Sequence, residues 1–348
     1  MMARADRAAT GTAAGSDPGR PHVGGRRAWL CCLAGVVLLG LVGFLNLSFG
    51  AVSLSPAEVW AGLTSESDLF ARNVVWQIRY PRVVDGALAG AALGVAGALL
   101  QGVTRNPLAD PTILGVTAAA GVASAIALLV DPSAPQWALT LYCATGGVAG
   151  GLILFVIAWR GSVSPVRLAL SGVALSAFLG AVIVGILSSS RTFVQTSLGF
   201  LAGGMYGSEW QDLWAALPYV GGGILIALGL AGRLNVLALG DDIAVGLGVM
   251  TDRTRLLILT VAGVLTGAAV AIGGLVSFVG LVCPHIARVA VGNDYRLVIP
   301  ASALMGALLV TGADLFARVV ISPSEIPMGI VTAGIGAPFL LYRVKVRG

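Results

Sequence analysis

The groups in this sequence that could do chemistry are mostly arginines. Arg79 and Arg82 flank a Tyr-Pro step, and Asp314 and Arg318 stand four apart, a spacing that brings two side chains together on a helix. A guanidinium fork holds a carboxylate bidentately, so these arginines suit either an internal ion pair or the capture of an acidic partner. Asp85 follows Arg82 by three residues and admits the same two readings. A lone Asp at the centre of a bilayer costs about 2.5 to 3.5 kcal/mol, so Asp85 and Asp314 are expected to face protein or the interface. His285 follows Pro284 with no carboxylate or second ligand beside it, which fits a structural role better than a catalytic one. Cys31, Cys32, Cys143 and Cys283 lack paired metal-ligand spacing, so no metal or haem site is expected. A P-loop needs GxxxxGK[ST], and the one lysine is Lys345 in the tail. Neither GxSxG nor HExxH occurs. An enzyme active site has little support, and ATP is not held by this chain through a P-loop.

The elements that must position these residues are membrane helices. The 348 residues are 57% hydrophobic and 11% charged, with mean hydropathy +0.92, far from the balance of a soluble domain. A hydrocarbon core takes roughly 20 apolar residues per helix, and such runs recur between short polar breaks. The 49 glycines lie inside these runs without a strict period, where small residues let helices approach. Gly86, Gly90 and Gly94 repeat at four-residue intervals along one helical face and specify packing. The net charge of +5 comes from basic residues that flank apolar runs, so it reports topology and does not point to nucleic acid.

Residues 1–27 are rich in Gly and Ala and carry five arginines; they are expected to be a disordered cytoplasmic tail. The apolar run from Ala28 through Leu47 lacks a small-residue cleavage pattern and reads as an uncleaved first span. Further runs centre near residues 94, 121, 148, 179, 222, 263, 282, 308 and 334, which gives an all-α integral membrane protein of about ten spans within 28–348. An even number places both termini on the cytoplasmic side. That threading leaves Arg72, Arg79, Arg82, Arg191 and Arg318 outside, and the other 16 of the 21 basic residues inside, in accord with the positive-inside rule. The segment from Leu88, LAGAALGVAGALLQG, loosely resembles LTGAAVAIGGLVSFVG from Leu265, a pattern compatible with an inverted repeat.

Two connections stand out. RNPLADP, from Arg105 to Pro111, holds two prolines that cannot continue a helix and is expected to be a tight cytoplasmic connection, either a plain loop or a gate at the inner end of a pore. Residues 233–255 form a long polar stretch with an amphipathic middle, longer than helix connections need. This segment is either a solvated linker or a surface on which a cytoplasmic partner docks.

Five ordered strings resemble the FecCD family of ABC-transporter permeases, which includes importers of vitamin B12, haem and ferric siderophores. They are IRYPR (Ile78 to Arg82), GALLQGVTRNPLADPTILGV (Gly97 to Val116), ALGDDIAVGLG (Ala238 to Gly248), FVGLVCPHIARVAVGNDYR (Phe278 to Arg296) and ADLFARVVISPSEIPMGIVTAGIGAPF (Ala313 to Phe339). The resemblance implies a type II importer permease of ten helices in the bacterial cytoplasmic membrane. Its implied partners are a second permease, two ATP-binding subunits that use ATP and Mg, an extracytoplasmic substrate-binding protein and membrane lipid. No cofactor is expected on this chain.

By the same resemblance, Arg79, Arg82 and Arg318 correspond to outward-facing arginines that receive glutamates from the binding protein. Tyr80 stands where the family has leucine. Gly240 through Arg255 corresponds to the coupling segment, with Ala244, Gly246 and Gly248 small enough to seat in a groove of the ATPase and Leu247 as an apolar contact. Asn106 and Leu108 correspond to the cytoplasmic gate, with Asp110 in place of Glu. Ser164 and Pro165 stand where the family's second gate element has a Ser-Thr pair, a departure from that pattern. The implied work is alternating access driven by a partner's ATP hydrolysis, carrying an iron-siderophore, with haem or cobalamin as alternatives. An ion-coupled secondary transporter is the rival from another class; it requires buried acids in the path, for which Asp85 and Asp314 are the candidates.

Overall fold

The computed structural model describes residues 25–50, 52–65, 68–159, 161–188, 199–322 and 324–347. Residues 1–24 of the expected tail and Arg191 lie outside the described residues. The first helix, α1 (Gly25–Ser48), takes in the last three residues assigned to that tail.

Short α2 (Pro56–Thr64) and α3 (Leu69–Asn73) follow, and a π-helical stretch over Val74–Arg79 leads into α4 (Tyr80–Thr104). Next come α5 (Val116–Val130), α6 (Gln136–Ala158), α7 (Pro165–Ser188), α8 (Trp210–Ala238) and the single-turn α9 (Asp241–Gly246). The chain ends with α10 (Thr251–Gly273), α11 (Val279–Val291), α12 (Tyr295–Val319) and α13 (Met328–Arg347). Among the described residues seven helices are long and apolar enough to cross a membrane, and α5, α11 and α13 are shorter apolar helices. Each expected span centre falls within one of these ten.

Helix α4 is the axis of the bundle, and small residues are the reason. A Cβ at Gly90 would overlap the Gly306 carbonyl oxygen, one at Gly94 the Ser302 carbonyl, and one at Gly97 the backbone of Gly280. Side-chain-free strips thus let α4 meet α12 and α11 backbone to backbone, where dispersion rather than water exclusion holds membrane helices together. A second close seam joins α6 to α10 through Gly147, Gly263 and Gly267.

Proline and left-handed residues set the ends. Pro81 follows the π-helical stretch directly, so its missing N–H withdraws a donor where the helix has just left the regular α pattern. Arg105 closes that helix at φ 48°, just before Asn106-Pro107. Between α10 and α11 the chain leaves helix at Gly274, and Phe278 adopts φ 67°. The freed backbone groups are met locally: the Leu275 amide donates to the Phe200 carbonyl at 3.0 Å and the Gly204 amide to the Gly273 carbonyl at 3.1 Å. Such pairing is what permits irregular backbone inside a membrane bundle. This break also separates the two similar segments, since Leu88–Gly102 lies in one unbroken helix whereas the segment from Leu265 runs from α10 across the break into α11.

Candidate functional site

Arg79, Arg82 and Arg318 converge at the start of α4 and the end of α12. Arg82 reaches across to α12: its Nε lies 3.1 Å and its Nη2 2.8 Å from Asp314 Oδ1. The same guanidinium donates to Glu325, Nη1 to Oε1 at 3.2 Å and Nη2 to Oε2 at 2.9 Å. Arg318 Nε stands 3.1 Å from Asp314 Oδ2, so the expected pair on α12 forms. Asp85 does not join it. Its carboxylate is buried without a hydrogen-bond partner among the described residues, because Arg82 turns toward α12 and not along its own helix.

The three guanidiniums do not face outward alike. Arg79 and Arg318 are buried and turn back on the last turn of α1. Arg79 donates to the Leu47, Ser48 and Val52 carbonyls, and Arg318 to the Phe49 carbonyl and the Asn46 side-chain oxygen. A helix end leaves its last carbonyls without intrahelical donors and partly negative, which is why cations settle there. Arg82 bridges a buried carboxylate and an accessible one: the Asp314 side chain is 3% exposed and that of Glu325 is 27%. With three arginines and two carboxylates, the cluster keeps one positive charge in excess.

Aromatic side chains lock this end. The rings of Trp76, Tyr80 and Trp210 stack with centroids 5.1 to 5.9 Å apart, and Trp210 Nε1 donates to the Trp76 carbonyl at 2.8 Å. Tyr80, the departure from the family string, is therefore a stacking residue that ties α4 to α8.

The opposite end of α4 carries the second constellation. Its 25 residues span about 37 Å at 1.5 Å per residue. Arg105 ion-pairs with Asp241 at the head of α9, and Arg255 Nη2 meets the same Asp241 oxygen at 2.6 Å. Arg255 is buried and donates through Nη1 to the Val163 carbonyl at 2.6 Å. The connection between spans is shorter than 233–255: α8 continues through Ala238 and α10 begins at Thr251, leaving 239–250 around α9.

Within that connection Gly240 takes φ 121° and Gly248 φ 78°, conformations suited to glycine. Leu247, Gly246 and Gly248 are exposed. Ala244 is fully buried against the bundle, so its small size serves internal packing and cannot seat in a partner's groove. The exposed face instead presents Ile243, Val245 and Leu247, which are 52%, 62% and 62% exposed. Sequence reasoning misses Ile243 and Val245, although the small Ala244 between two branched aliphatics is a signal that could find them.

The RNPLADP loop is compact. Asn106 Oδ1 accepts the Leu108 amide at 2.9 Å, and the buried Asp110 accepts the Thr112 amide at 2.7 Å. Ser176 Oγ donates to the Thr112 carbonyl at 2.8 Å, which ties the loop's exit to α7. Asn106 and Leu108 are partly accessible, and Ser164 and Pro165 sit at the start of α7. His285 rests edge-on against Phe339 with ring centroids 5.2 Å apart.

Comparison with known proteins agrees with this architecture. The chain is 41% identical over 307 residues to the Fe(3+)-citrate import system permease protein YfmD of Bacillus subtilis, covering 86% of this chain and 90% of the relative. It is 42% identical over 278 residues to the cobalamin import system permease protein BtuC of Halobacterium salinarum, covering 80% and 74%. A metal-chelate type ABC transporter solved in an inward-facing conformation superposes with a TM-score of 0.78 at 29% identity, over 90% of this chain and 98% of that one. Residues 38–345 match the FecCD transport family; the chain belongs to that family and is a multi-pass membrane permease.

Proposed function

We propose that this permease carries a ferric chelate into a bacterial cell as the membrane subunit of an ATP-driven importer. It would work beside a second permease, two ATP-binding subunits that use ATP and Mg, and an extracytoplasmic substrate-binding protein. The observation that carries the reading is the division of labour along α4. One end holds an arginine cluster with excess positive charge and one exchangeable carboxylate, and the other holds a short helix with three exposed aliphatic side chains.

The first end suits an acidic partner. An incoming glutamate can replace Glu325 on Arg82 while Asp314 stays in place, and Arg79 and Arg318 supply fixed positive potential behind it. The second end suits a partner with an apolar groove, here the ATPase, with Ile243, Val245 and Leu247 as anchors and Gly240, Gly246 and Gly248 allowing close backbone approach. Arg105 then relays movement of α9 to Asn106 and Leu108, the proposed cytoplasmic gate. The excess of Lys and Arg at the α9 end supports placing that end and both termini in the cytoplasm, in the inner membrane of the cell.

Ferric citrate import by a relative at 41% identity supports an iron chelate as cargo. The relative at 42% identity keeps cobalamin as a second reading. Uptake of radiolabelled iron, presented as ferric citrate and several siderophores, decides between them in a deletion strain with and without this gene. Loss and restoration for one chelate names the cargo. Unchanged uptake for all, with labelled cobalamin uptake lost, moves the assignment to cobalamin.

A further inference from the structure

A cleft of about 920 Å³ opens at the Arg105 end of the bundle, where α1 begins, α4 and α8 end, α11 turns into α12 and α13 terminates. Its size lies within the range of about 300 to 1,000 Å³ usual for ligand cavities. Among the described residues four arginines and a histidine line it, Arg27, Arg105, Arg288, Arg343 and His285, against the one carboxylate of Asp294. That carboxylate is already engaged, accepting from Asn235 Nδ2 at 2.6 Å and from the Arg296 amide at 2.9 Å. Arg105 shares the Asp241 carboxylate with Arg255. Arg288 is held by neutral groups, donating to Gln101 Oε1 and to Tyr295 Oη, and among the described residues no carboxylate comes within ion-pair distance of it.

Neutral donors and acceptors thus fix the Arg288 guanidinium in place while its charge stays available, and Arg27 and Arg343 add positive potential from other walls of the cleft. The walls are also amphipathic. Val289 and Leu297, which line it, are exposed hydrophobic side chains, and Trp29 and Leu30 beside Arg27 continue an uncovered apolar face along α1. A basic cup that runs directly into exposed aliphatic surface fits a molecule with an anionic head and apolar tails better than it fits a free anion.

We propose that this cleft binds an anionic phospholipid, with the phosphodiester on Arg288 flanked by Arg27 and Arg343 and the acyl chains along Val289, Leu297 and α1. The site lies beside the Arg105–Asp241 contact, so an occupied cleft braces the end of α4 from which α9 is held. The assignment needs only a membrane environment and stands apart from the choice of cargo.

The test is native mass spectrometry of the delipidated, assembled transporter titrated with phosphatidylglycerol, phosphatidylcholine and inorganic phosphate. Phosphatidylglycerol should bind saturably and phosphatidylcholine should not. Near a membrane surface each basic residue contributes about 1 kcal/mol, so Arg27→Ala with Arg343→Ala should weaken phosphatidylglycerol about thirtyfold. Both residues lie at helix ends, and Val289→Glu, on the exposed wall, gives an independent second loss without touching the arginines. Equal binding of phosphatidylcholine, displacement by inorganic phosphate at matching concentration, or unchanged affinity in both variants would overturn the proposal. Loss of the ATPase subunits from the double variant with lipid affinity intact would also overturn it, by making the cleft a protein contact.

Discussion

Arg105, which closes α4, ion-pairs with Asp241, which opens α9, and the same carboxylate oxygen takes the buried Arg255 of α10 at 2.6 Å. One side chain thus joins three elements: the helix that runs the depth of the bundle, the short helix outside it, and the span that follows. The left-handed conformation of Arg105, at φ 48°, turns its side chain back toward α9 as the backbone departs into RNPLADP. A displacement of α9 would therefore act on the end of α4 and on α10 through this shared carboxylate.

Asp241→Asn should uncouple that path. The amide keeps an acceptor for one arginine and loses the charge that holds both. Arg255 is buried and its Nε lacks a hydrogen-bond partner among the described residues, so weakening its ion pair should cost about 1 to 3 kcal/mol of stability. Coupling energies of this kind correspond to about 5- to 150-fold effects. Uptake should drop within that range while ATP hydrolysis by the assembled complex persists. Parallel loss of both activities would place Asp241 in assembly and not in coupling.

Leu247→Glu tests the outer face of α9. Leu247 lies with Ile243 and Val245 on a surface the bundle leaves bare, and a charge at the centre of an apolar contact should cost about 2 kcal/mol or more. The ATPase should fail to co-purify, with the permease still inserted. Ala244→Ser, pointing into the bundle, should leave co-purification intact and lower thermal stability instead.

Much of this is legible in the sequence because membrane helices announce themselves by length and hydropathy. All ten expected span centres fall in apolar helices, even α11, whose 13 residues end before Gly292. The Asp314–Arg318 pair follows from four-residue spacing. The partners of Arg82 and the burial of Arg79 and Arg318 do not, because they depend on where α1 ends relative to α12, a tertiary fact with no local pattern. Asp85 misleads for the same reason: three-residue spacing allows a pair with Arg82, but a buried carboxylate on α12 and Glu325 together outcompete it. The connection at 233–255 looks long because Arg233 and Asn235 resemble loop residues, whereas α8 keeps its helical hydrogen bonds through Ala238.

Glycine positions separate into two kinds that one substitution distinguishes. At Gly90 an added methyl meets the Gly306 backbone, which cannot move aside without parting α4 from α12. Gly90→Ala should therefore lower stability by about 1 to 3 kcal/mol, visible as a lower unfolding temperature in detergent. A methyl added at Gly229 on α8 would meet nothing within 4 Å among the described residues, so Gly229→Ala should be neutral or gain about 0.4 to 1 kcal/mol from reduced backbone freedom. Equal losses at both sites would contradict close backbone contact as the basis of the α4–α12 seam.

Arg82 and Glu325 give the sharpest test of the outer cluster. Arg82→Glu would set three carboxylates together and repel an acidic partner, so uptake should vanish while the permease still assembles with its ATPase. Because that change also disturbs Asp314, Glu325→Gln is the cleaner probe: it removes the accessible competitor and leaves the Arg82–Asp314 pair, 2.8 Å at its closest, untouched. The cluster's excess charge then rises from one to two. The binding protein should associate faster and several-fold more tightly at low salt, and the gain should shrink as ionic strength shortens the Debye length to about 8 Å and below. Weaker association of the Glu325→Gln permease would mean that Glu325 itself contacts the partner and that Arg82 is not the group receiving its carboxylate.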